Sequence, residues 1–518
     1  MDTRRAGQGP LRRAWLALER ALDRVFPDGG NPLAHLGALA CLLFAALLVS
    51  GVYLYVAFDT SVAGAWTSID ALSRRQPLAG GWLRSLHRYA ADAFMLVMVL
   101  HLLREWVLGR YRGFRRATWL TGVPLLVLAY VSGIGGFWLN WDQLGQYSAV
   151  ASAEMLDALP LFASPLTRNF IDAAAVNDRL FTLLVFIHLG VPLLLLFGLW
   201  FHLQRIGRPE VWPPRALALG FGATLALVAL AAPVHSQAPA DLGVAPATLA
   251  YDWILLHLHP LAYASSPGTA WALVAGVVLV LMLLPLRRAG APAPVAVVDA
   301  GNCNGCRRCV DDCPYAAITL APHPNGRLGR QIAVVEADRC ASCGICVGSC
   351  PSSTPFRSTR ALVTGIDMPQ WPIDALRKRL VQALAQPGAA RRIVVYGCDH
   401  GADVQALGRD DVAGFSLECT GMLPPAFIEY ALRGGAAGVV VATCREHACE
   451  FRLGARWTAQ RLAREREPRL REGVPSARLR LVQAGPGDEA ELLAAVADLA
   501  AGTAAAGPMR ATGARAAR

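Results

Sequence analysis

Between residues 34 and 287 the chain runs through six apolar stretches, near 34 to 57, 85 to 108, 118 to 139, 180 to 203, 216 to 233 and 270 to 286. Each is close to the roughly 20 residues that a helix needs to cross a bilayer. In hydrocarbon a single chain segment can satisfy its own backbone polar groups only as a helix. The N-terminal half is therefore expected to be an all-α six-span membrane bundle. Composition agrees, since 17% of the chain is charged, below the roughly 25% of an ordinary soluble protein.

Loop charges orient the bundle. Arg104, Arg110, Arg112, Arg115 and Arg116 follow the second stretch, Arg205, Arg208 and Arg215 the fourth, and Arg287 and Arg288 the sixth. Arginine-rich loops stay on the cytoplasmic side. The alternate loops are richer in Asp and Glu and should face outward. Six spans return the chain to its starting side, so everything after Arg288 is expected in the cytoplasm of a bacterium, beneath its inner membrane. Residues 1 to 30 lack the apolar core and cleavage site of a signal peptide, and 11 to 26 read as an amphipathic helix on the inner surface. The net charge of +11 comes from arginines beside apolar segments, which explains it without a nucleic-acid partner.

Inside the spans, His87 and His101 stand 14 residues apart in the second, and His188 and His202 stand 14 apart in the fourth. Fourteen residues make nearly four helical turns, so each pair shares a face with about 21 Å between its members. Two parallel spans built this way can offer His87 with His188 and His101 with His202, two bis-imidazole ligand sets for two haems. A lone intramembrane histidine could be a buried hydrogen-bonding residue; a doubled interval argues for ligands. Gly37 and Gly51 in the first span and Gly122 and Gly136 in the third repeat the interval. Glycine admits a bulky planar group close to the backbone, although small residues also serve plain helix packing.

The segments G-W-L-R-S-L-H (Gly81 to His87), H-L-L-R (His101 to Arg104), T-W-L-T-G-V (Thr118 to Val123) and H-L-G-V-P (His188 to Pro192) resemble cytochrome b of quinol-oxidising cytochrome bc complexes, over residues 30 to 290. The resemblance implies a four-helix haem core plus two helices, and a possible homodimer. It also implies that Arg84 and Arg104 meet haem propionates. Ala250-Tyr251-Asp252-Trp253 stands where that family has P-E-W-Y, which makes Asp252 the candidate acceptor of a quinol proton. His257 and His259 follow it and read as interfacial structural residues. The position five after His202 is Gly207, where many members have a histidine, so an inner quinone site is left open.

Twelve of the 13 cysteines lie between Cys303 and Cys449. Clustered C-x-x-C spacings in a long chain point to metal ligation in a reducing compartment, not to a disulfide scaffold. Cys303, Cys306, Cys309 and Cys313-Pro314 form C-x2-C-x2-C-x3-C-P, and Cys340, Cys343, Cys346 and Cys350-Pro351 repeat it. This resembles the two-cluster bacterial ferredoxin, in which three cysteines of one run and the fourth of the other hold each [4Fe-4S] centre. One centre would then take Cys303, Cys306, Cys309 and Cys350, the other Cys340, Cys343, Cys346 and Cys313. Zinc sites pair C-x-x-C units and do not double four-cysteine runs.

Beyond a linker over 363 to 390, strands at Ile393 to Tyr396, Val439 to Ala442 and Leu479 to Val482 alternate with helices at Pro425 to Arg433 and Asp488 to Ala500. That alternation predicts a small α/β domain over 391 to 501. Cys398 and Cys444 come directly after strands, where parallel sheets place their sites. Y-G-C-D-H-G-A-D, E-C-T-G-M-L-P-P-A-F-I and A-T-C-R-E-H-A-C-E-F resemble the delta subunit of methyl-viologen-reducing hydrogenase, which is also fused to heterodisulfide-reductase-type flavoproteins. The resemblance implies one [2Fe-2S] centre on Cys398, Cys419, Cys444 and Cys449, with a zinc or plain thiol site as the alternative. Family members often carry a fifth cysteine where this chain has Gly401. His400 and His447 lie beside these ligands without being ligands. Cys41 reads as apolar filler, and residues 502 to 518 as a disordered tail.

The sequence thus divides into an N-terminal segment (1 to 30), a cytochrome b-like domain (31 to 290), an α+β ferredoxin-like domain (291 to 362), the linker and the α/β domain. Its parts read as a wire between the quinone pool in the lipid bilayer and a cytoplasmic flavoprotein or hydrogenase. Alternatives are a quinol-oxidising bifurcating subunit, a membrane anchor and relay without a quinone site, and a redox sensor. No G-x-G-x-x-G follows a strand, so a nicotinamide or flavin would belong to a partner.

Overall fold

The structure is a computed structural model describing all residues except 1–8, 27–28, 162, 172–173, 245–247, 287–293, 326–328, 387–391 and 507–518. The expected tail from 507, the end of the linker, and Arg287 and Arg288 lie outside the described residues. The chain divides into two compact units, Met1–Ala289 and Gly290–Arg518.

The first unit is helical: α1 (Pro10–Val25), α2 (Leu36–Ala57), α3 (Gly64–Arg75), α4 (Trp82–Val107), α5 (Arg116–Asn140), α6 (Gln143–Asp157), α7 (Asp178–Ile206), α8 (Arg215–Ala231), α9 (Leu258–Ala264) and α10 (Pro267–Leu283). The six expected stretches coincide with α2, α4, α5, α7, α8 and α10. Among the described residues, four helical stretches are long and apolar enough to cross a membrane, Pro32–Ala57, Gly113–Asn140, Asp178–Ile206 and Pro267–Leu286. Helix α8 is shorter, and α4 carries His87, Arg88, Asp92 and His101 in its middle, polar groups that dilute its apolar character. Helix α2 packs along α4 and α5 along α7, around Leu39, Leu43, Phe44, Ala90, Phe94, Leu125 and Leu195. Helices α3, α6 and α9 fill connections read from sequence only as loops. Side-chain caps start several helices: Asn177 accepts from Leu180 N–H at 3.1 Å and Asp142 from Gly145 N–H at 2.9 Å, each satisfying a backbone donor that the first turn leaves open.

The second unit contains β1 (Val297–Val298), α11 (Arg308–Asp311), β2 (Ile318–Pro322), β3 (Gln331–Val335), α12 (Ile345–Ser349), β4 (Ile366–Asp367), α13 (Ile373–Ala385), β5 (Ile393–Cys398), β6 (Val412–Leu417), α14 (Ala426–Arg433), β7 (Gly438–Thr443), α15 (Gly454–Leu462), β8 (Leu479–Gln483) and α16 (Glu489–Ala506). Strands β2 and β3 form an antiparallel hairpin, and β1 pairs antiparallel with β4. The expected linker therefore contributes a strand to the ferredoxin-like part and the helix α13. The remaining strands make one parallel sheet in the order β6-β5-β7-β8, with β5 and β7 buried at its centre. Strand β6 escapes sequence reading because Gly414 and Ser416 interrupt its apolar run. The glycine is required, since a Cβ there would lie 2.8 Å from the Val404 carbonyl. Helix α16 continues to Ala506, so residues 502 to 506 are helical where a disordered tail was expected.

Candidate cofactor sites

In the first unit each of the four histidines faces one of the four glycines. A Cβ added at Gly37 would lie 3.5 Å from the His101 ring, at Gly51 3.3 Å from His87, at Gly122 3.2 Å from His202 and at Gly136 3.2 Å from His188. Helix α2 thus lines the histidines of α4, and α5 those of α7. His87 and His188 are close enough to interact electrostatically, as are His101 and His202. Ser50 donates to the Ala46 carbonyl at 2.7 Å, so its lone pair accepts from His87 Nδ1 at 2.9 Å. Thr121 likewise donates to the Thr118 carbonyl and meets His202 Nδ1 at 2.9 Å. His188 Nδ1 lies 3.1 Å from the Ser132 carbonyl. A protonated, anchored Nδ1 fixes the ring and leaves Nε2 as the free donor atom, the arrangement of an imidazole ligand. His101 instead has the Glu105 carboxylate within electrostatic reach.

The cysteines of the second unit fall into three groups. Cys303, Cys306, Cys309 and Cys350 line one cavity with Asn302, Asn304 and Gly305. Cys313, Cys340, Cys343 and Cys346 interact with one another. Burial, then the neighbouring sulfurs, pushes the Cys309 thiol up to about 12 and Cys346 well above its ordinary value. Such groups cannot all ionise unless a cation offsets their charge, which suits metal-bound thiolates. Gly305, at φ +67, lets the chain turn tightly: a Cβ there would sit 2.5 Å from the Gln331 carbonyl.

The third group gathers at the carboxyl end of the parallel sheet. Cys398 ends β5, Cys419 follows β6 and Cys444 follows β7, while Cys449 is delivered by the loop before α15. The Cys444 thiol is hydrogen-bonded to Cys398 and Cys449, which lowers both of theirs. Phe451, Gly454 and Ala455 also donate backbone N–H groups to Cys449. Gly454 makes room, since a Cβ would stand 2.3 Å from Cys419 Sγ. Among the described residues no three His, Cys, Asp or Glu side chains converge tightly enough to hold a single metal ion.

Comparison with known proteins finds three families in succession. Residues 24–208 match Cytochrome b/b6/petB, 302–354 a 4Fe-4S dicluster domain, and 408–507 the delta subunit of methyl-viologen-reducing hydrogenase. The chain joins these three domains in one polypeptide. It is a membrane electron-transfer protein. Its cytochrome b domain implies haem b and its dicluster domain iron–sulfur clusters. Among solved structures, one titled "Hyperthermophilic respiratory Complex III" aligns with 20% identity and a TM-score of 0.41 over 53% of this chain and 82% of that one.

The cytochrome b match takes in all four histidines and ends before Asp252. Arg84 is buried and bonds Ser73 at 2.8 Å, Asn140 at 2.9 Å and Ser236 at 2.8 Å, all neutral groups. Arg104 pairs with Glu19 of α1 at 2.7 Å, and its buried Nη2 has no hydrogen-bond partner. An orphaned guanidinium donor suits a propionate. Glu19 is the buried partner of Arg104 that sequence reading missed, because a buried carboxylate on an amphipathic surface helix gives no pattern. Asp252 is ion-paired with Arg88 and accepts from Leu255 N–H at 2.6 Å. His259 is buried and held by Ser152 at 2.9 Å, and His257 lies against Tyr130. Cys398 and Gly401 lie just ahead of the hydrogenase-delta match, and a Cβ at Gly401 would come 2.7 Å from the Ala484 carbonyl, so the position expected to hold a fifth cysteine in that family has no room for one. His400 meets Glu418 at 3.4 Å, and this hydrogen bond keeps the imidazole more basic than usual against the opposing cost of burial.

Proposed function

We propose that this chain carries electrons between the quinone pool and a soluble cytoplasmic dehydrogenase of hydrogenase or heterodisulfide-reductase type. The observation that carries the reading is the set of four histidine–glycine contacts in the unit that precedes the dicluster and hydrogenase-delta matches. His87 with His188 and His101 with His202 would each hold a haem b, Arg84 and Arg104 would meet propionates, and the twelve cysteines would hold two [4Fe-4S] centres and one [2Fe-2S] centre. These groups supply one-electron chemistry when bound. The protein's part is to anchor each Nδ1, exclude water from the imidazoles and keep the sulfurs at fixed spacing. Six spans with both termini and the iron–sulfur domains in the cytoplasm of a bacterial inner membrane complete the arrangement. An inside-negative potential contributes about 2.3 kcal/mol per charge per 100 mV, which favours electrons moving outward, from the cytoplasmic donor to an outer-face quinone.

The Arg88–Asp252 ion pair favours a second reading. A carboxylate held by a guanidinium must release it before accepting a proton, a step that a relay without a quinone site never requires. Membrane vesicles containing the full chain, reduced from the cytoplasmic side, decide between the two. Addition of a quinone should reoxidise the haems, and Asp252→Asn should slow that step while leaving haem content unchanged. Unaltered reoxidation in the variant removes Asp252 from the site, and no reoxidation by any quinone leaves the relay.

A further inference from the structure

The ferredoxin-like part and the α/β domain meet through a narrow contact between backbones. Helix α12, which carries Cys346, lies against residues 420–422, which follow Cys419. A Cβ at Gly348 would fall 2.1 Å from the Gly421 carbonyl, and one at Gly421 would fall 2.8 Å from Ile345. Two glycines therefore permit an approach that no larger residue would allow. Cys343 and Cys419 are close enough to interact electrostatically.

Arg461 of α15 closes this contact. It is 1% exposed. Its Nη1 donates to the Gly421 carbonyl at 2.7 Å and its Nη2 to Asp312, which lies between Cys309 and Cys313. Its Nε is buried with no hydrogen-bond partner. Arg466 also binds Asp312, so two guanidinium groups face one carboxylate and a net positive charge is left at the junction. Burying a cation is costly unless something compensates it, and a structural latch would need only one arginine for one aspartate. The excess charge faces Cys419, which interacts with the guanidinium. Fixed positive charge beside a site that becomes more negative on reduction stabilises the reduced form.

We propose that Arg461 is the positioning residue of an electron-transfer junction that joins the Cys398, Cys419, Cys444 and Cys449 site to the Cys313, Cys340, Cys343 and Cys346 site, and not to the Cys303, Cys306, Cys309 and Cys350 site. The inference rests on the proposed iron–sulfur occupancy of all three. The exchange moves one electron: one iron–sulfur centre is oxidised by one electron as the other is reduced by one, and no bond or proton is transferred.

Electron paramagnetic resonance of the purified full chain, during a stepwise reductive titration, tests it. In the unsubstituted protein the signal of the C-terminal centre should broaden when the Cys313 centre becomes reduced. Arg461→Gln should lower the midpoint potential of the C-terminal centre and weaken that broadening, while leaving the Cys303 centre where it was. Arg461→Lys should restore the potential, since the charge returns, but not the broadening, since an ammonium cannot bridge Asp312 and Gly421. Gly421→Ala, whose Cβ would press on Ile345 at 2.8 Å and leaves the charge in place, should weaken the broadening and spare the potential; it serves equally if Arg461→Gln does not fold. Unchanged potential and broadening in these variants would overturn the junction, as would broadening that disappears with Cys303→Ser. Absence of iron–sulfur signals from the unsubstituted chain would instead overturn the cofactor reading beneath it.

Discussion

The histidines of the first unit and the cysteines of the C-terminal sheet are held by opposite means. Each histidine sits on a long helix, its Nδ1 tied to Ser50, Ser132 or Thr121 on the neighbouring helix or, for His101, set near Glu105. The two histidine levels are separated along the helices, so each is expected to fail alone. Cys398, Cys419, Cys444 and Cys449 come from separate loops at the sheet's carboxyl end, and Cys398, Cys444 and Cys449 form one buried cluster with Ala455. There the cysteines are also the packing, so loss of one should disturb the fold around it. Helices supply spacing by their period and sheets supply it by convergence.

Four substitutions sharpen or break this contrast. The largest effect is expected from Cys444→Ser, which should remove the iron of the C-terminal site, leave the eight ferredoxin-type cysteines loaded and lower thermal stability; iron analysis with calorimetry reads both. Next comes His188→Ala, which should abolish the haem of the His87 and His188 level alone, halving haem per chain in a pyridine haemochrome assay and leaving the unfolding temperature of the second unit unchanged. Loss of both haems would mean that the two levels are not independent. Gly136→Val should act in the same direction but less completely, because its first side-chain atom already stands 3.2 Å from His188; overpacking of this kind costs about 1–3 kcal/mol. The smallest effect belongs to Gly401→Cys. It should add no iron and should destabilise the sheet by roughly 1–3 kcal/mol, seen as a lowered denaturation midpoint, because its Cβ would press on the Ala484 carbonyl. A gain of iron would contradict the steric account.

What could be read from the sequence follows the same divide. The 14-residue intervals were visible because a helix turns one-dimensional spacing into a shared face, and the doubled cysteine runs because their ligands are local. The crossing of Cys313 and Cys350 into each other's groups was expected only from resemblance, and the structure does bring those residues together. Hidden from sequence were the contacts made at long range: Glu19 with Arg104, β4 with β1, and Arg461 with Asp312. Each depends on two distant residues that carry no local pattern. Strand β6 was hidden for a different reason, since the glycine that its packing requires erases the apolar run by which strands are recognised.

One polypeptide is proposed to hold haem in its helical unit and iron–sulfur centres in the other. Haem and non-haem iron, counted per chain in protein purified with its native partners and read beside reduced-minus-oxidised spectra, test it most directly. Two b-type haems and about ten non-haem irons are expected, four for each [4Fe-4S] and two for a [2Fe-2S] centre. Fewer than two haems, or iron well below that total, would contradict it.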